Sequence, residues 1–201
     1  MTLLYLVRHG LNDWTGKRLI GNTPGIHLND AGRKQAEAVA QALTGKRITA
    51  IFSSPLERAM ETAEPLSVAL NLSIQPHPGL QEVDFGDWQG LSARKMQRLK
   101  LFKQAQERPS LVRFPGGESY REAQERVILA LTGFTAQFSG DTALACFSHC
   151  DIIRLAIAGL IGLQIDAFHS LAAETGSISV LSMGSKRNEL LKLNWQPEIN
   201  T

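Results

Sequence analysis

Blocks of apolar residues alternate with mixed polar segments along the chain, in a pattern typical of alternating strands and helices. Two unbroken apolar runs, at 3–7 and 142–147, predict strands that are buried on both faces, as in a parallel sheet. Shorter segments rich in apolar residues predict four more strands, at 48–52, 72–75, 177–182 and 189–193. Helical segments separate most of these strands, so the sheet is expected to be mostly parallel.

Apolar residues at helical spacing predict the elements between the strands. A cap at 29–30 begins a first helix, which ends at Gly45. Ser54 and Glu57 have the spacing of a capping box at the start of a second helix, and Pro65 is expected to kink or end that helix. Further helices are predicted at 91–108, around 123–134 and at 151–160.

This order of elements predicts the fold class. We expect one α/β domain over residues 1–201, with three layers (α/β/α) and a mostly parallel central sheet flanked by helices. The sequence contains no internal repeat and no linker. Residues 91–113 are expected to form a helical insertion over one end of the sheet.

Composition and charge narrow the classes of function. The net charge of +2 is too small to indicate nucleic-acid binding, although it is compatible with anionic small molecules. Cys146 and Cys150 are too few for a disulfide framework, and their spacing does not suit a structural zinc site. No signal segment precedes the first strand and no apolar run is long enough to span a bilayer. We therefore expect a reduced, cytoplasmic protein that binds neither nucleic acid nor membranes.

Each of two predicted strands is followed closely by a histidine. Val7 is followed by Arg8 and His9, and the strand at 142–147 is followed by Ser148 and His149. In open α/β sheets ligands bind outside the carboxyl ends of the strands. If the two strands are parallel neighbours, both imidazoles meet at this edge, which favours a functional role over a structural one.

Arg58 adds a third cationic group. It lies in the first turn of the second predicted helix, where the macrodipole disfavours a cation. A helix N-terminus binds phosphate readily, so Arg58 and Arg8 together suit a dianionic phosphoryl group. An ordinary surface arginine is the alternative. Three acids in the loop at 81–90, Glu82, Asp84 and Asp87, could serve as a proton donor, and the residues alone do not distinguish them.

Six motifs in the same order resemble those of the histidine phosphatase superfamily, which includes cofactor-dependent phosphoglycerate mutases and their phosphatase relatives. The first motif ends in Arg8-His9-Gly10. The six motifs lie at 6–10, 28–36, 53–63, 82–90, 117–119 and 148–149. An isolated Arg-His-Gly would be weak support, whereas the ordered set is specific.

The resemblance implies a role for each of the five central residues. His9 would be the nucleophile that forms a phosphohistidine. Arg8, Arg58 and His149 would hold the phosphoryl oxygens. Glu82 would protonate the leaving oxygen and then activate water. This chemistry requires neither a metal ion nor a cofactor.

The resemblance also implies substrate contacts, some of which depart from the family pattern. Gly21 and Asn22 match contact positions in relatives. Asn12 and Thr15 replace the usual residues after Arg-His-Gly but can still donate hydrogen bonds to phosphate. Cys150 replaces the common glycine after the second histidine. Its amide can still reach the phosphate. Its thiol is expected either to narrow the pocket or be open to oxidation, or else to be buried and inert.

The sequence thus predicts a metal-independent phosphomonoesterase for small phosphorylated metabolites, with the insertion at 91–113 over its active site. A phosphoglycerate mutase is the first alternative, but the chain ends soon after its last predicted strand, which favours hydrolysis. A non-catalytic phosphate-binding module is the second, and the presence of both His9 and Glu82 argues against it. Neither the substrate nor the oligomeric state follows from the sequence.

Overall fold

The computed structural model describes residues 1–138 and 140–199. Ser139, Asn200 and Thr201 of the predicted domain lie outside the described residues. The strands are β1 (Thr2–Arg8), β2 (Ala50–Ser53), β3 (Ile74–Pro76), β4 (Thr142–Ser148), β5 (Ile178–Met183) and β6 (Asn188–Trp195). The helices are α1 (Asp30–Thr44), α2 (Glu57–Leu70), α3 (Ala93–Met96), α4 (Lys100–Glu107), α5 (Tyr120–Ala136) and α6 (Cys150–Ile161).

The six strands form one sheet in the order β3-β2-β4-β1-β5-β6. The pairs β1–β4, β4–β2 and β2–β3 are parallel, whereas β5 is antiparallel to both β1 and β6. The predicted mostly parallel sheet is confirmed, with an antiparallel hairpin at one edge. In the central pair Arg8 lies opposite Ser148, so β1 and β4 end at the same level.

Alternate side chains of β1 pack into two apolar layers on opposite faces of the sheet. Tyr5 and Val7 join a cluster that includes residues of α1 and α2. Leu4 and Leu6 join a larger cluster that includes residues of α5 and α6. Successive side chains of a strand point to opposite faces, so this division follows directly from the unbroken apolar run in the sequence. The predicted three-layer α/β/α fold is confirmed.

The start and course of α2 differ from the prediction. The helix begins at Glu57 with Leu56 as its cap residue, and no side chain caps it. The Ser54 hydroxyl instead accepts a hydrogen bond from Leu56 N at 3.3 Å, so the capping box is not formed. The helix also continues through Pro65 to Leu70. Proline costs a helix interior about 3 kcal/mol, and burial of Leu66 and its neighbours against the sheet offsets that cost.

The predicted helix at 91–108 consists of two short helices, α3 and α4, separated by a break at 97–99. Met96 before the break and Phe102 after it both pack against the apolar layer beneath α5 and α6. Across the part of the chain that the structure describes, no helix has the combination of length and apolar composition that crossing a membrane demands.

Candidate active site

β1 and β4 end at the same level of the sheet, which brings two imidazoles together. His9 and His149 follow the paired residues Arg8 and Ser148, and their ring centroids are 5.1 Å apart at an interplanar angle of 59°. His9 N donates to Ser148 O at 3.0 Å, which ties the two strand ends to each other. Both side chains are buried, with His149 at 0% exposure. The predicted convergence of the imidazoles is therefore confirmed.

The hydrogen bond of His9 defines its tautomer. Nδ1 lies 2.7 Å from the carbonyl oxygen of Gly10, and a carbonyl only accepts, so Nδ1 carries the proton. Nε2 then keeps a lone pair. Burial, followed by the charges of Arg58 and Arg8, holds the pKa of His9 well below its ordinary value. The imidazole is therefore neutral at neutral pH, with one nitrogen available as a nucleophile.

A close backbone approach explains the glycine after His9. A Cβ at Gly10 would lie 2.5 Å from the carbonyl oxygen of Gly32 near the start of α1. Gly10 N also donates to Thr62 Oγ1 at 3.0 Å, and Thr62 Oγ1 donates to Arg58 O at 2.6 Å. The loop after β1 is thereby held against the N-terminal halves of both α1 and α2.

His149 has a different partner, Ser54. His149 Nε2 lies 2.8 Å from Ser54 Oγ, which also accepts a hydrogen bond from Leu56 N. The Ser54 hydroxyl can donate its own proton to Nε2, which places the ring proton on Nδ1. Among the described residues His149 Nδ1 has no hydrogen-bond partner. Sequence reasoning treated Ser54 as a helix cap and missed this role, since a serine before a helix fits both.

Two guanidinium groups lie beside the imidazoles. Arg8 Nη1 donates to Ala173 O at 2.6 Å. Arg58 Nη2 donates to Gly21 O at 2.7 Å and its Nη1 to Thr23 O at 3.2 Å. Arg58 is 1% exposed, and burial lowers its pKa to about 10, so it remains charged at neutral pH. Backbone carbonyls thus fix both side chains, as the predicted anion site requires.

Five buried side-chain atoms around these groups have no hydrogen-bond partner among the described residues. They are Arg8 Nε, Asn12 Nδ2, Thr15 Oγ1, Arg58 Nε and His149 Nδ1. A buried polar atom left unpaired costs about 1–3 kcal/mol, so these atoms indicate a binding site for a group rich in acceptor oxygens. A cavity of about 180 Å³ lies here, and Arg8, His9, Thr15 and Arg58 all contribute to its lining. We call it the phosphate cavity.

Glu82 supplies the carboxyl group of the phosphate cavity. Its Oε1 accepts from Val83 N at 3.1 Å and Ile152 N at 3.3 Å, and its Oε2 from Asp151 N at 3.4 Å. Burial, and then the neighbouring charge of Asp151, raise the pKa of Glu82 to about 7, although Arg58 opposes the shift. Both protonation states are therefore populated near neutral pH. Sequence reasoning did not identify Asp151.

The other two loop acids and one predicted contact do not line the phosphate cavity, and Asp87 is exposed. Asp84 and Asn22 line a neighbouring cavity of about 570 Å³, which Glu82 also lines. Asp84 Oδ1 accepts from Gly86 N at 2.9 Å, and Asn22 N donates to Gln89 Oε1 at 2.9 Å. Among these acids the geometry favours Glu82, because it shares the phosphate cavity with His9.

The remaining predicted contacts line or adjoin the phosphate cavity. Asn12 Oδ1 accepts from Thr15 N at 3.0 Å, which leaves the Asn12 amide nitrogen free. Gly21 lines the cavity and its carbonyl accepts from Arg58. Cys150 also lines the cavity, and its Sγ donates to Ala173 O at 3.6 Å. Burial raises the pKa of the Cys150 thiol to about 12, so the thiol is protonated at neutral pH.

Sequence comparison places these motifs in a known family. A profile described as histidine phosphatase superfamily (branch 1) matches residues 4–196. The chain is similar to phosphoserine phosphatase 1 of Hydrogenobacter thermophilus, with 32% identity over 199 residues, covering 96% of this chain and 92% of that protein. It is also similar to the probable phosphoglycerate mutase GpmB of Yersinia pestis, with 30% identity over 181 residues, covering 89% of this chain and 84% of that protein.

Structure comparison agrees with the sequence matches. The fold is similar to that of a mycobacterial glucosyl-3-phosphoglycerate phosphatase, solved as a complex with VO3, with a TM-score of 0.88 and 28% identity. The match covers 96% of this chain and 98% of that one. Sequence and fold therefore point to one family over nearly the whole chain.

Proposed function

Because this chain belongs to the histidine phosphatase superfamily (branch 1) and is a phosphatase, we propose that it hydrolyses small phosphorylated metabolites through a phosphohistidine on His9, without a metal ion. The observation that carries the proposal is the tautomer of His9. Its Nδ1 donates to the Gly10 carbonyl, which leaves Nε2 as a nucleophile in a cavity with unpaired donors.

In the first proposed step the substrate phosphoryl group enters the phosphate cavity. Its oxygens accept hydrogen bonds from the free nitrogens of Arg8, Arg58 and His149, with Asn12 and Thr15 as further donors. These donors are already fixed by the surrounding backbone, so they need little reorganisation as negative charge develops on the phosphoryl oxygens. Two guanidinium groups supply the positive charge that a metal ion would otherwise provide.

In the second step His9 Nε2 attacks phosphorus in line with the ester oxygen. The new N–P bond forms as the P–O bond to the alcohol breaks, and protonated Glu82 gives its proton to the leaving oxygen. In the third step the Glu82 carboxylate takes a proton from water, and the resulting hydroxide displaces His9 from phosphorus. Phosphate leaves, and Glu82 is again protonated. A pKa of about 7 suits both of its roles.

We further propose that residues 91–113 form a helical insertion over the active site. Met96 and Phe102, from α3 and α4, line a cavity that also includes Phe85 and Asp151. Phe85 and Asp151 line the phosphate cavity as well. The insertion would therefore shape the space next to the transferred group and exclude water from part of it.

Similarity to a probable phosphoglycerate mutase supports a second candidate function, phosphoryl transfer between two positions of a bound intermediate. A mutase must protect its phosphohistidine from water while the intermediate turns. The two functions share every residue named in the first step. They differ in whether free phosphate is released.

A panel of phosphomonoesters assayed with and without a chelator tests both candidates. The panel includes phosphoserine, glucosyl-3-phosphoglycerate and 3-phosphoglycerate, which the names of relatives suggest. We expect phosphate release that survives chelation and is lost in His9→Ala but not in His27→Ala, a matched change at an exposed imidazole paired with Glu61. Release that needs a metal ion, or that persists in His9→Ala, would overturn the proposal. Isomerisation of 3-phosphoglycerate without phosphate release would favour the mutase.

A further inference from the structure

A second cavity adjoins the phosphate cavity. It has a volume of about 220 Å³, and both cavities are lined by Leu19, Phe85 and Asp151. A substrate whose phosphoryl group occupies the phosphate cavity would therefore have this space within reach of the rest of the molecule. We call it the alcohol cavity, for the portion of the ester that would enter it.

The walls of the alcohol cavity are mostly aromatic. Trp88, Phe102, Phe114 and Tyr120 contribute side chains from four separate segments of the chain. Phe114 packs edge-on against both Trp88 and Tyr120, with ring centroids 5.2 Å apart in each pair. Edge-to-face packing is a favourable arrangement of aromatic rings, and these rings present an apolar surface that suits an apolar body.

Two nitrogens in this apolar setting lack partners. Arg154 and His169 line the alcohol cavity, and Arg154 Nε and His169 Nδ1 have no hydrogen-bond partner in the described part of the chain. Arg154 Nη1 lies 3.6 Å from Asp151 Oδ1, an ion-pair distance that is too long for a hydrogen bond. The Arg154 side chain is thus four-fifths buried, and its Nε has no partner.

The distribution of unpaired atoms links the two cavities. Residues 1–138 and 140–199 contain eight buried side-chain nitrogens and oxygens without a partner. Three belong to residues that line the phosphate cavity (Arg8, Thr15 and Arg58), two to residues that line the alcohol cavity (Arg154 and His169), and the other three to Asn12, Glu57 and His149. Buried polar atoms are normally paired, so the unpaired atoms on the two adjoining linings are groups that one bound molecule could engage.

We infer that the alcohol cavity selects phosphomonoesters whose alcohol has an apolar body and carries a carboxylate, and that Arg154 binds this carboxylate. The inference rests on the proposed function, because it assumes that the phosphoryl group occupies the adjoining cavity. A guanidinium matches a carboxylate in a bidentate geometry that a neutral amide or hydroxyl cannot reproduce. His169 supplies a second nitrogen on the same lining.

The charge on Asp151 favours a carboxylate over a second phosphate. Asp151 already offsets the charge of Arg154 at 3.6 Å, so the pair has a net charge of zero. A singly charged carboxylate can share Arg154 with Asp151, whereas a dianionic phosphate would meet a stronger repulsion from Asp151 and Glu82. Arg154 is therefore a specificity-determining residue for this reaction.

Phenyl phosphate and 3-carboxyphenyl phosphate form a matched pair of probes, since they differ by one carboxylate on the same aromatic body. For the wild-type protein we expect kcat/KM to be about 10- to 100-fold higher for the carboxylated ester, the range of a charge-assisted pair in a dry site. In Arg154→Met this ratio should fall to about 1, and in Arg154→Lys it should be intermediate. Arg187→Met, at an exposed arginine in the β5–β6 hairpin, should keep the wild-type ratio.

Loss of Arg154 also leaves the charge of Asp151 unpaired next to Glu82, which changes the rates of hydrolysis of both esters together. The ratio of the two kcat/KM values is therefore the readout, because this shared effect cancels in it. A wild-type ratio near 1 would overturn the inference without any variant, as would a high ratio that survives in Arg154→Met. Hydrolysis of phenyl phosphate by the wild type shows that the proposed function holds even where the ratio fails. Absence of hydrolysis of both esters would overturn the proposed function and this inference together. Thermal melting of each variant confirms that it is folded.

Discussion

The ends of β1 and β4 lie side by side at the same level of the sheet, and a buried imidazole follows each of them. The hydrogen bonds of the two imidazoles differ. His9 Nδ1 faces a backbone carbonyl, which can only accept, whereas His149 Nε2 faces the Ser54 hydroxyl, which can also donate. Strand register therefore explains why the imidazoles meet, and their partners explain why the two have different roles.

The consequence is a division between nucleophile and donor. The carbonyl of Gly10 leaves a lone pair on His9 Nε2, and the hydroxyl of Ser54 allows His149 to keep a proton on Nδ1. Burial holds the pKa of both imidazoles well below the ordinary value, so both are neutral at neutral pH. Their different roles therefore depend on which nitrogen carries the proton. Changes at the two strand ends should therefore have unequal effects on catalysis.

The largest expected effect is at His9. His9→Gln removes the nucleophile, and kcat should fall by about 10⁴-fold or more, as for other enzymes that lose the attacking group. Steady-state assays with 4-nitrophenyl phosphate measure this loss. Retention of more than a few per cent of the wild-type kcat would mean that another group attacks phosphorus.

Glu82→Gln separates the attack by His9 from proton transfer. We expect a loss of about 10²–10⁴-fold in kcat/KM for alkyl phosphates, which need a proton on the leaving oxygen, and a much smaller loss for 4-nitrophenyl phosphate. Rates across a series of leaving groups measure the difference. Equal slowing for all of them would indicate that Asp84 or an external acid is the donor.

His149→Gln removes one donor to the transferring phosphoryl group and leaves the nucleophile in place. We expect kcat to fall by about 10²–10³-fold, less than for His9→Gln. The same 4-nitrophenyl phosphate assay compares the two variants directly. Equal losses would contradict the division of roles between the strand ends.

Ser54→Ala leaves both imidazoles but removes the hydroxyl that orients His149. Loss of this hydrogen bond should lower kcat by about 10-fold through the orientation and tautomer of His149. Ser53→Ala is the matched control, since the neighbouring hydroxyl donates to Ser54 O at 2.9 Å, whereas the partner of His149 Nε2 is Ser54 Oγ. A Ser54→Ala protein with wild-type kcat would refute the positioning role of the hydroxyl.

By contrast, the two imidazoles should make similar contributions to the pH dependence of the unfolding free energy. Each has a folded pKa below its ordinary value of 6.5, so the unfolded chain binds the extra proton as pH falls. Stability from this source is fully present above about pH 6.5 and is lost as pH decreases toward the folded pKa. Each imidazole should contribute up to about 1.4 kcal/mol per pH unit to the fall in unfolding free energy.

Urea denaturation between pH 5 and pH 7 checks this expectation. His9→Gln and His149→Gln should each reduce the pH slope of the unfolding free energy by a similar amount, although their effects on kcat differ widely. A slope unchanged by either variant would mean that the corresponding imidazole has the same pKa in the folded protein as in the unfolded chain.

Much of the sheet and of the phosphate cavity could be predicted from local sequence. The unbroken apolar runs of β1 and β4 identify buried strands, and the residues after them identify the edge where a ligand binds. Ser54 could not be assigned, because its spacing to Glu57 fits a capping box as well as a contact 95 residues away. The choice depends on how β2 and β4 align, which no local pattern encodes.

The alcohol cavity was beyond prediction for the same reason. In the sequence, Arg154 looks like an ordinary surface arginine of a predicted helix, and His169 belongs to no motif. Packing of several distant segments, including α4 and α6, buries the two side chains beside each other. The break between α3 and α4 likewise arises from tertiary packing rather than from helical periodicity.

The most direct test of the division between the strand ends is the location of the covalent intermediate. Rapid quenching of Glu82→Gln during turnover of 4-nitrophenyl phosphate, followed by peptide mapping at neutral or alkaline pH, should find a phosphoryl group on Nε2 of His9. Slow water activation in this variant lets the intermediate accumulate. A phosphoryl group on His149, or kinetically competent turnover with no phosphorylated histidine, would contradict the account.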